Sequence, residues 1–413
     1  MYRTDVLIIG AGQAGLALSR CLVERSIDHV LLERGRVAES WRSQRWDSLR
    51  LLTPRWQARL PHWSYRGPDP DGFMTMPEIT DYLVRYAAAF CAPVHDDCAV
   101  LSVRRQDGGY RVTSTRGTWQ ARTVVVATGA CSTPSIPDFG SQLSARIQQL
   151  VPTRYRNPGQ LEPGGVLVVG ASASGLQIAD ELRRSGRDVV LSVGRHTRIP
   201  RRYRGHDIMW WLDRLGILGQ TVDEIRDVAR ARRSPSFQLV GRPDHADLDL
   251  RRLAADGVTL VGRAMAADDA RVRFAPDLAH DLGHADRKLD RLLGRINAGI
   301  ATLGLPAEPV HRRPEPTGWV PAGPSTLDLA DRQIRTVVWA TGFRPHYPWL
   351  QVPVLDGRGE LLHRGGLTPS PGLYAIGLPV LRRRNSTYID GVGLDAAEIA
   401  RDIDHRLARA IAA

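Results

Sequence analysis

Lysine is almost missing from this 413-residue sequence. Lys288 is its single occurrence, so all but one of the 56 Lys and Arg residues are arginine. A net charge of +12 could indicate a polyanionic partner. However, the arginines are scattered along the chain and form no arginine-rich tail, which favours an ordinary basic surface. We therefore expect no nucleic-acid partner.

Redox-active cysteine pairs and long apolar runs are also lacking. The four cysteines, Cys21, Cys91, Cys98 and Cys131, include no C-x-x-C pair, which argues against electron transfer through a dithiol. The apolar run near the start, Val6 to Ile9, is too short for a signal peptide or a membrane span. A cytoplasmic protein without a membrane partner is expected.

Hydrolase and metal-binding patterns are weak or absent. We find no G-x-S-x-G turn and no protease zinc motif. His280 and His284 would share one face of a helix, close to Asp281 and Asp286, but no third strong ligand is evident. A solvated helix start explains these residues better than a metal site, so no metal is predicted.

A complete β-α-β unit opens the sequence. The run from Asp5 to Gly10 predicts a short buried strand, followed by the turn Gly10-Ala11-Gly12-Gln13-Ala14-Gly15 and a helix. In such a turn the first glycine permits a tight bend, the second lets the backbone approach a pyrophosphate, and the third allows close helix packing. A second strand ends at Glu33, where a carboxylate can accept hydrogen bonds from a ribose. This unit therefore predicts a dinucleotide site.

The same pattern returns with a different ending. A strand up to Gly170 leads into Gly170-x-Ser172-x-x-Gly175, and the partner strand ends at Arg195 where the first unit has an acid. A carboxylate would repel the 2′-phosphate of NADPH, whereas Arg195, helped by Thr197 or Arg198, could neutralise it. The plainer alternative is that Arg195 to Arg204 is a solvated basic stretch with one or two cofactor contacts. We favour NADPH over NADH.

The two units predict an α/β fold with two Rossmann-like dinucleotide-binding domains, the NADPH domain inserted into the FAD domain. We expect residues 1–160 to form the first part of the FAD domain, 161–324 the NADPH domain with a helical insert, and 325–413 the second part of the FAD domain. The strand ending in Ala127-Thr128-Gly129 is assigned to the first part, and the similar strand ending in Ala340-Thr341-Gly342 to the second. Linkers are expected at Thr133–Pro137, Asn157–Gly165 and Pro314–Pro324, and a helix at Asp286–Leu303.

The two dinucleotide sites have different residues at the ribose, Glu33 in the first and Arg195 in the second. This difference indicates one bound flavin and one mobile hydride donor. Further motifs then identify a resemblance along essentially the whole chain. They are Glu39-Ser40-Trp41-Arg42, Arg45 to Leu51, Tyr155-Arg156-Asn157-Pro158, Ala340 to Pro345 and Gly391-Val392-Gly393-x-Asp395-Ala396. Together they resemble the class B flavin-containing monooxygenases, nearest to YUCCA-like members.

The resemblance implies an FAD that is reduced by NADPH, reacts with O2 to a C4a-(hydro)peroxyflavin and oxygenates a small molecule. Thr53 and Pro54 would lie near the flavin, and the Gly391 to Asp395 loop would approach it at a helix N-terminus. The expected cofactor-binding residues are Gly10, Gly12, Gln13, Ala14, Gly15, Glu33, Arg34, Trp41, Val100, Thr128, Gly129, Gly170, Ser172, Ser174, Gly175, Arg195, Thr197, Gly342, Gly393 and Asp395. A homodimer is common for such folds.

The substrate is expected to be a small apolar or aromatic molecule with an oxidisable nitrogen, sulfur or carbonyl group. Its cavity could be walled by aromatic residues, although core packing is their commoner fate; these residues are Tyr203, Trp210, Trp211, Trp349 and Tyr388.

The sequence departs from the family pattern in the linker. Val151 stands where the family fingerprint has a histidine, and an asparagine that often lies beside the flavin is missing near Thr53. An NADPH oxidase or acceptor reductase that makes peroxide is therefore the alternative function.

Overall fold

The computed structural model describes residues 1–106, 108–131, 133–310, 321 and 323–412. The α-helices of these residues are α1 Gln13–Val23, α2 Glu39–Ser43, α3 Met76–Ala89, α4 Ala173–Arg184, α5 Ile208–Arg214, α6 Val228–Arg232, α7 Leu250–Ala255, α8 Leu278–Leu303 and α9 Ile389–Ala412. Short 3-10 helices cover Arg55–Gln57, Asp138–Gln142, Pro158–Gln160 and Val222–Glu224.

The strands are numbered along the chain. They are β1 Tyr2–Ile9, β2 His29–Leu32, β3 Arg59–Leu60, β4 Trp63–Ser64, β5 Val94–His95, β6 Val100–Gln106, β7 Gly109–Ser114, β8 Gly117–Val126, β9 Thr133–Pro134, β10 Gln148–Leu150, β11 Gly165–Val169, β12 Val189–Ser192, β13 Thr197–Arg198, β14 Arg202–Tyr203, β15 His206–Asp207, β16 Phe237–Gln238, β17 Thr259–Val261, β18 Ala264–Asp268, β19 Arg271–Phe274, β20 Thr326–Asp328, β21 Ile334–Trp339, β22 Phe343–Arg344 and β23 Leu373–Ala375.

The first sheet has the order β5-β2-β1-β8-β7-β6. Strands β5, β2, β1 and β8 are parallel, and β7 and β6 continue the sheet as an antiparallel hairpin. The late strand β23 pairs in parallel with the end of β8, from Val124 to Val126. Helices α1, α3 and α9 cover one face through buried apolar residues such as Leu16, Leu83 and Ile399. The first domain is therefore assembled from both ends of the chain.

The second sheet is entirely parallel, with the order β10-β21-β11-β12-β17. Its residues lie between β8 and β23 in sequence, so the second dinucleotide-binding domain is inserted into the first, and the predicted fold class is confirmed. The strand pairing places the return to the first domain later than the boundary expected at residue 325. Strand β21 lies inside the second sheet between β10 and β11, so the chain returns to the first sheet only after Trp339.

Helix α8 differs from the expected Asp286–Leu303 because it begins eight residues earlier, at Leu278. Of its expected apolar face, Ile296 and Ile300 are buried, while Leu303 is exposed. The Leu278 end packs on the second sheet and α4, whereas Ile296 and Ile300 pack against Trp211 of α5. Most of the expected linker Pro314–Pro324 lies outside the described residues.

Candidate functional site

The first glycine turn has the geometry of an anion cradle. Gly10 has φ +109°, and a Cβ atom there would lie 2.8 Å from the carbonyl oxygen of Ala127. A Cβ on Gly15 would lie 2.0 Å from the carbonyl oxygen of Gly10, so α1 can approach β1 only with glycine there. Gly12, in contrast, has no atom within 4 Å of its Cβ position and caps α1 without a side-chain hydrogen bond. This open helix N-terminus fits the pyrophosphate of a dinucleotide.

Glu33 closes this cradle at the end of β2. Its carboxylate is buried and accepts hydrogen bonds from the backbone N–H groups of Ala11 (2.8 Å) and Gly35 (3.2 Å). The Glu33 carbonyl accepts from the N–H of Cys98, two residues before Val100. The structure therefore brings Glu33 and the segment leading into Val100 together, while Arg34 is exposed.

Residues from distant parts of the chain complete this first site. The Trp41 indole N–H donates to the side-chain oxygen of Gln13 over 3.2 Å. Gly129, after Thr128, has φ +77° with open space at its Cβ position. The sequence analysis missed Gly377, where φ is +75° and a Cβ would lie 2.8 Å from that of Ala14. A glycine two residues after the buried strand β23 was the available signal.

The second glycine turn repeats the first almost feature by feature. Gly170 has φ +107°, and its Cβ position lies 2.3 Å from the carbonyl oxygen of Ala340. The Cβ position of Gly175 lies 1.8 Å from the carbonyl oxygen of Gly170. Ser172 caps α4 without a side-chain hydrogen bond, and Ser174 follows in the first helical turn. This N-terminus also fits a pyrophosphate.

The matching glycine beyond the second turn is Gly342, after β21. Like Gly129 after β8, it has positive φ, here +92°, and open space at its Cβ position. The two Ala-Thr-Gly segments thus occupy equivalent places, one beside each glycine turn.

The ribose end of the second turn carries positive charge. Arg195 follows β12 and is exposed, whereas Thr197 is buried. Arg198 forms ion pairs with Asp249 (3.0 Å) and Asp286 (2.8 Å), so its charge is balanced by carboxylates. Thr197 accepts a hydrogen bond of 2.8 Å from the ammonium of Lys288, a residue that the sequence analysis did not select.

The Tyr155-Arg156-Asn157 motif braces the two domains. The Arg156 guanidinium donates to the backbone carbonyls of Ser43 and Arg45. The Asn157 side chain donates to the Asp47 carboxylate over 2.7 Å. The segment after α2 is therefore fixed to the joint that leads into the second domain.

Arg45 and Cys131 lie close enough to interact electrostatically beside this brace. The Arg45 guanidinium carbon lies 5.1 Å from the centre of the Trp41 ring, and burial lowers the pKa of Arg45. Cys131 is reached by solvent, yet the surrounding protein raises the pKa of its thiol, and Arg45 opposes that rise.

The segment Leu52-Thr53-Pro54 is held from the inserted domain. Arg201 is 1% exposed and donates a hydrogen bond of 2.8 Å to the carbonyl of Leu52. Its guanidinium also pairs with Asp207 and lies 4.8 Å from the centre of the Phe73 ring. Thr53 is half-buried and Pro54 buried. Their position therefore depends on a residue of the other domain.

Four of the five aromatic residues considered for a substrate cavity pack in one core cluster. Trp211 is fully buried in the core between α5 and α8, and Tyr203, Trp210, Tyr388 and Leu52 pack around it. Burial raises the pKa of Tyr388 to about 12, so its hydroxyl keeps its proton at neutral pH. Trp349 instead packs on the core of the first sheet. We call Tyr203, Trp210, Trp211 and Tyr388 the aromatic cluster.

The expected loop from Gly391 to Asp395 is helical, because α9 begins at Ile389. Asp395 has no exposed surface and pairs with Arg383 over 2.7 Å; burial raises the pKa of its carboxyl against the effects of Ser386 and Arg383. It braces α9 internally, and of the two predicted cofactor-binding residues in this segment only Gly393 is partly exposed. His280 and His284 lie within α8, and the described residues contain no group of three possible metal ligands.

Comparison with known proteins places the chain among flavoproteins. Residues 7–212 match the family described as pyridine nucleotide-disulphide oxidoreductase. The chain is 35% identical to an uncharacterized CzcO-like oxidoreductase of Geobacillus kaustophilus, over 97% of this chain and 98% of that protein. It is 28% identical to indole-3-pyruvate monooxygenase YUCCA1 of Oryza sativa subsp. japonica, over 96% of this chain and 90% of that protein.

Among solved structures, a flavin-containing monooxygenase from Stenotrophomonas maltophilia has the same fold, with a TM-score of 0.68 at 19% identity and 98% coverage of both chains.

Two nested dinucleotide-binding domains, each with a glycine turn at a helix N-terminus, together with these relatives identify an FAD-dependent oxidoreductase. The chain belongs to the family of the CzcO-like oxidoreductases, and its similarity to YUCCA1 and to the fold of the flavin-containing monooxygenase agrees with the class B flavin-containing monooxygenases. The expected resemblance is thereby confirmed, and with it the expected cofactors FAD and NADPH. No helix of the described residues has both the length and the apolar character needed to cross a membrane.

Proposed function

We propose that the protein is an NADPH- and O2-dependent monooxygenase that oxidises a small apolar or aromatic molecule at a nitrogen, sulfur or carbonyl group. The observation that carries this proposal is the pair of equivalent glycine turns with opposite charges at their ribose ends. Glu33 stands at the first and Arg195 at the second. A carboxylate suits the ribose hydroxyls of FAD, and a cation suits the 2′-phosphate of NADPH.

The roles of the chain are binding and positioning. The turn from Gly10 to Gly15 would hold the FAD pyrophosphate, and the turn from Gly170 to Gly175 that of NADPH. Bound FAD supplies hydride acceptance and the activation of O2. Arg201 holds the Leu52-Thr53-Pro54 segment, which joins the aromatic cluster at Leu52. This cluster would exclude water from the substrate.

The substrate class rests on the same cluster. The His206 ring stacks on Trp210 with 4.1 Å between ring centres, and Trp210 meets Trp211 edge to face. Trp211 has no exposed surface, so the residues of the cluster that could border a flat apolar ligand are the partly exposed Tyr203, Trp210 and Tyr388. The names of the plant relatives, which are indole-3-pyruvate monooxygenases, add support for an aromatic substrate.

A second candidate function is an NADPH oxidase or acceptor reductase that releases peroxide. Val151 favours it, because this residue occupies the fingerprint histidine position and packs against the apolar core of the second sheet. The position therefore offers no polar side chain to hold NADP+ or an oxygen species.

One experiment separates these functions. The purified protein is loaded with FAD and supplied with NADPH, O2 and a panel of amines, sulfides, ketones and indolic acids, while NADPH, oxygenated product and peroxide are counted. Monooxygenation gives one product for each NADPH with one substrate of the panel. Peroxide equal to NADPH with every substrate contradicts our proposal and supports the oxidase. A cytoplasmic location and a homodimer belong to the proposal too, and sedimentation tests the latter.

A further inference from the structure

Lys288, the only lysine of the chain, lies near the middle of α8 with its side chain half-buried. Its ammonium donates a hydrogen bond of 2.8 Å to the hydroxyl of Thr197. The Thr197 hydroxyl in turn donates to the carbonyl of Pro235 over 3.4 Å. An ammonium has three N–H donors, so Lys288 retains donors beyond the one that Thr197 uses.

Within the described part of the chain, the charge of Lys288 is not balanced by an acid. Among the described residues no carboxylate forms an ion pair with it, although Arg198 nearby has two such partners. Burial lowers the pKa of its ammonium, and Arg230 and Arg291 lower it further. A partly desolvated cation among cations is unfavourable until an anion joins it.

Contacts connect this cation to the second glycine turn. Thr197 begins β13, which pairs in parallel with β16. From β16, the buried Gln238 side chain donates a hydrogen bond of 2.6 Å to the carbonyl of Ala171 inside the turn. The side-chain oxygen of Gln238 is buried and has no hydrogen-bond partner among the described residues. Strand β16 thus links the strand that begins with Thr197 to the second glycine turn.

We propose that Lys288 binds the 2′-phosphate of NADPH together with Thr197 and so determines the preference for NADPH over NADH. This inference rests on the proposed function, since it needs NADPH at the second turn. It adds a ligand from α8, outside the β-α-β unit that carries Arg195. A phosphate dianion would balance the cations around Lys288, whereas the ribose hydroxyl of NADH would leave them uncompensated.

The test measures binding without catalysis. Isothermal titration calorimetry on the FAD-loaded protein compares 2′,5′-ADP with 5′-AMP, which lacks the 2′-phosphate. Lys288→Met should weaken 2′,5′-ADP binding by about 10- to 100-fold, the usual effect of losing a hydrogen bond to a charged group. Binding of 5′-AMP should change by less than about twofold, because that ligand does not use the ammonium. Lys288→Arg, which keeps the charge, should retain most of the selectivity.

Arg287→Met is the matched control, because it removes the same charge from the adjacent exposed position of α8. If it weakens 2′,5′-ADP as much as Lys288→Met, or if Lys288→Met weakens both ligands equally, the assignment of Lys288 is overturned. The assignment is also overturned if the Lys288→Met variant still prefers 2′,5′-ADP over 5′-AMP as strongly as the wild type. The proposed NADPH site would then stand without Lys288. Wild-type protein that binds both ligands equally overturns the NADPH preference itself.

Discussion

Arg201 in the inserted domain donates a hydrogen bond of 2.8 Å to the backbone carbonyl of Leu52 in the first domain. The same guanidinium pairs with Asp207, whose carboxylate also caps α5 by accepting from the N–H of Met209. One buried side chain thus ties the Leu52-Thr53-Pro54 segment to the helix that carries Trp210 and Trp211.

We expect Arg201→Met to destabilise the protein strongly. It leaves Asp207 without its cation in a site where solvent scarcely reaches the guanidinium, and breaking a buried pair costs about 3–5 kcal/mol. Thermal unfolding of the FAD-loaded variant should show a much lower Tm. The control is Arg202→Met, which removes an exposed neighbouring cation. Equal Tm values for the two variants would contradict the bracing role.

Substitutions at two glycines of the first turn should separate binding from folding. Gly12 has φ −82° and open space at its Cβ position, so Gly12→Ala should fold normally and lose FAD, because the methyl group occupies the place of the pyrophosphate. Gly15→Ala would put a methyl group 2.0 Å from the Gly10 carbonyl oxygen and should destabilise the fold by about 1–3 kcal/mol.

The measurements are the flavin-to-protein absorbance ratio and the unfolding free energy of the FAD-free proteins. Gly12→Ala that retains wild-type FAD content would show that the pyrophosphate does not lie at this turn.

Arg195→Ala should distinguish the two nicotinamide cofactors. Because only NADPH carries a 2′-phosphate, its KM should rise by about tenfold or more, while the KM for NADH changes little. Steady-state oxidation of both cofactors provides the measurement. Arg271→Ala, at an exposed arginine of β19, controls for the loss of one positive charge. An equal rise in both KM values would rule out the phosphate contact.

Acid should destabilise the fold through histidines that are neutral when folded. Burial lowers the pKa of His29, His196 and His363 below 6.5, to about 4 for His363. The unfolded chain binds more protons in this window, so their contribution is complete above pH 6.5 and is lost as the pH falls towards 4.

Urea unfolding between about pH 7.5 and 4.5 measures this loss as a falling free energy of unfolding. His363→Gln should flatten the slope below pH 6.5. An unchanged slope would show that His363 does not contribute.

Much of the fold could be predicted because its signals are local. The glycine turns, the strands that precede them and the residues Glu33 and Arg195 each follow from a few neighbouring positions. The strand ending in Ala340-Thr341-Gly342 was assigned to the wrong sheet for the same reason. Its sequence resembles the end of β8, and only long-range pairing with β11 decides where it belongs.

The site was harder to predict where it depends on contacts between distant segments. Asp395 was expected near the cofactor, but its partner Arg383 holds it inside the protein. Lys288 was passed over because its nearest polar partner, Thr197, lies on a different element. Trp349 and Trp210 could not be distinguished from the sequence, because only tertiary packing shows that they lie against different cores.

The position of β21 between β10 and β11 also orders the events of synthesis. While the ribosome extends the chain from Val169 to Ile334, the β11 edge that will receive β21 has no partner in its own sheet. The β8 edge that will pair with β23 remains unpaired for longer, until Leu373 emerges from the ribosome. Neither nucleotide domain can close as a separate unit on the way out, so a chain halted before Ile334 presents two open strand edges and should be prone to aggregate.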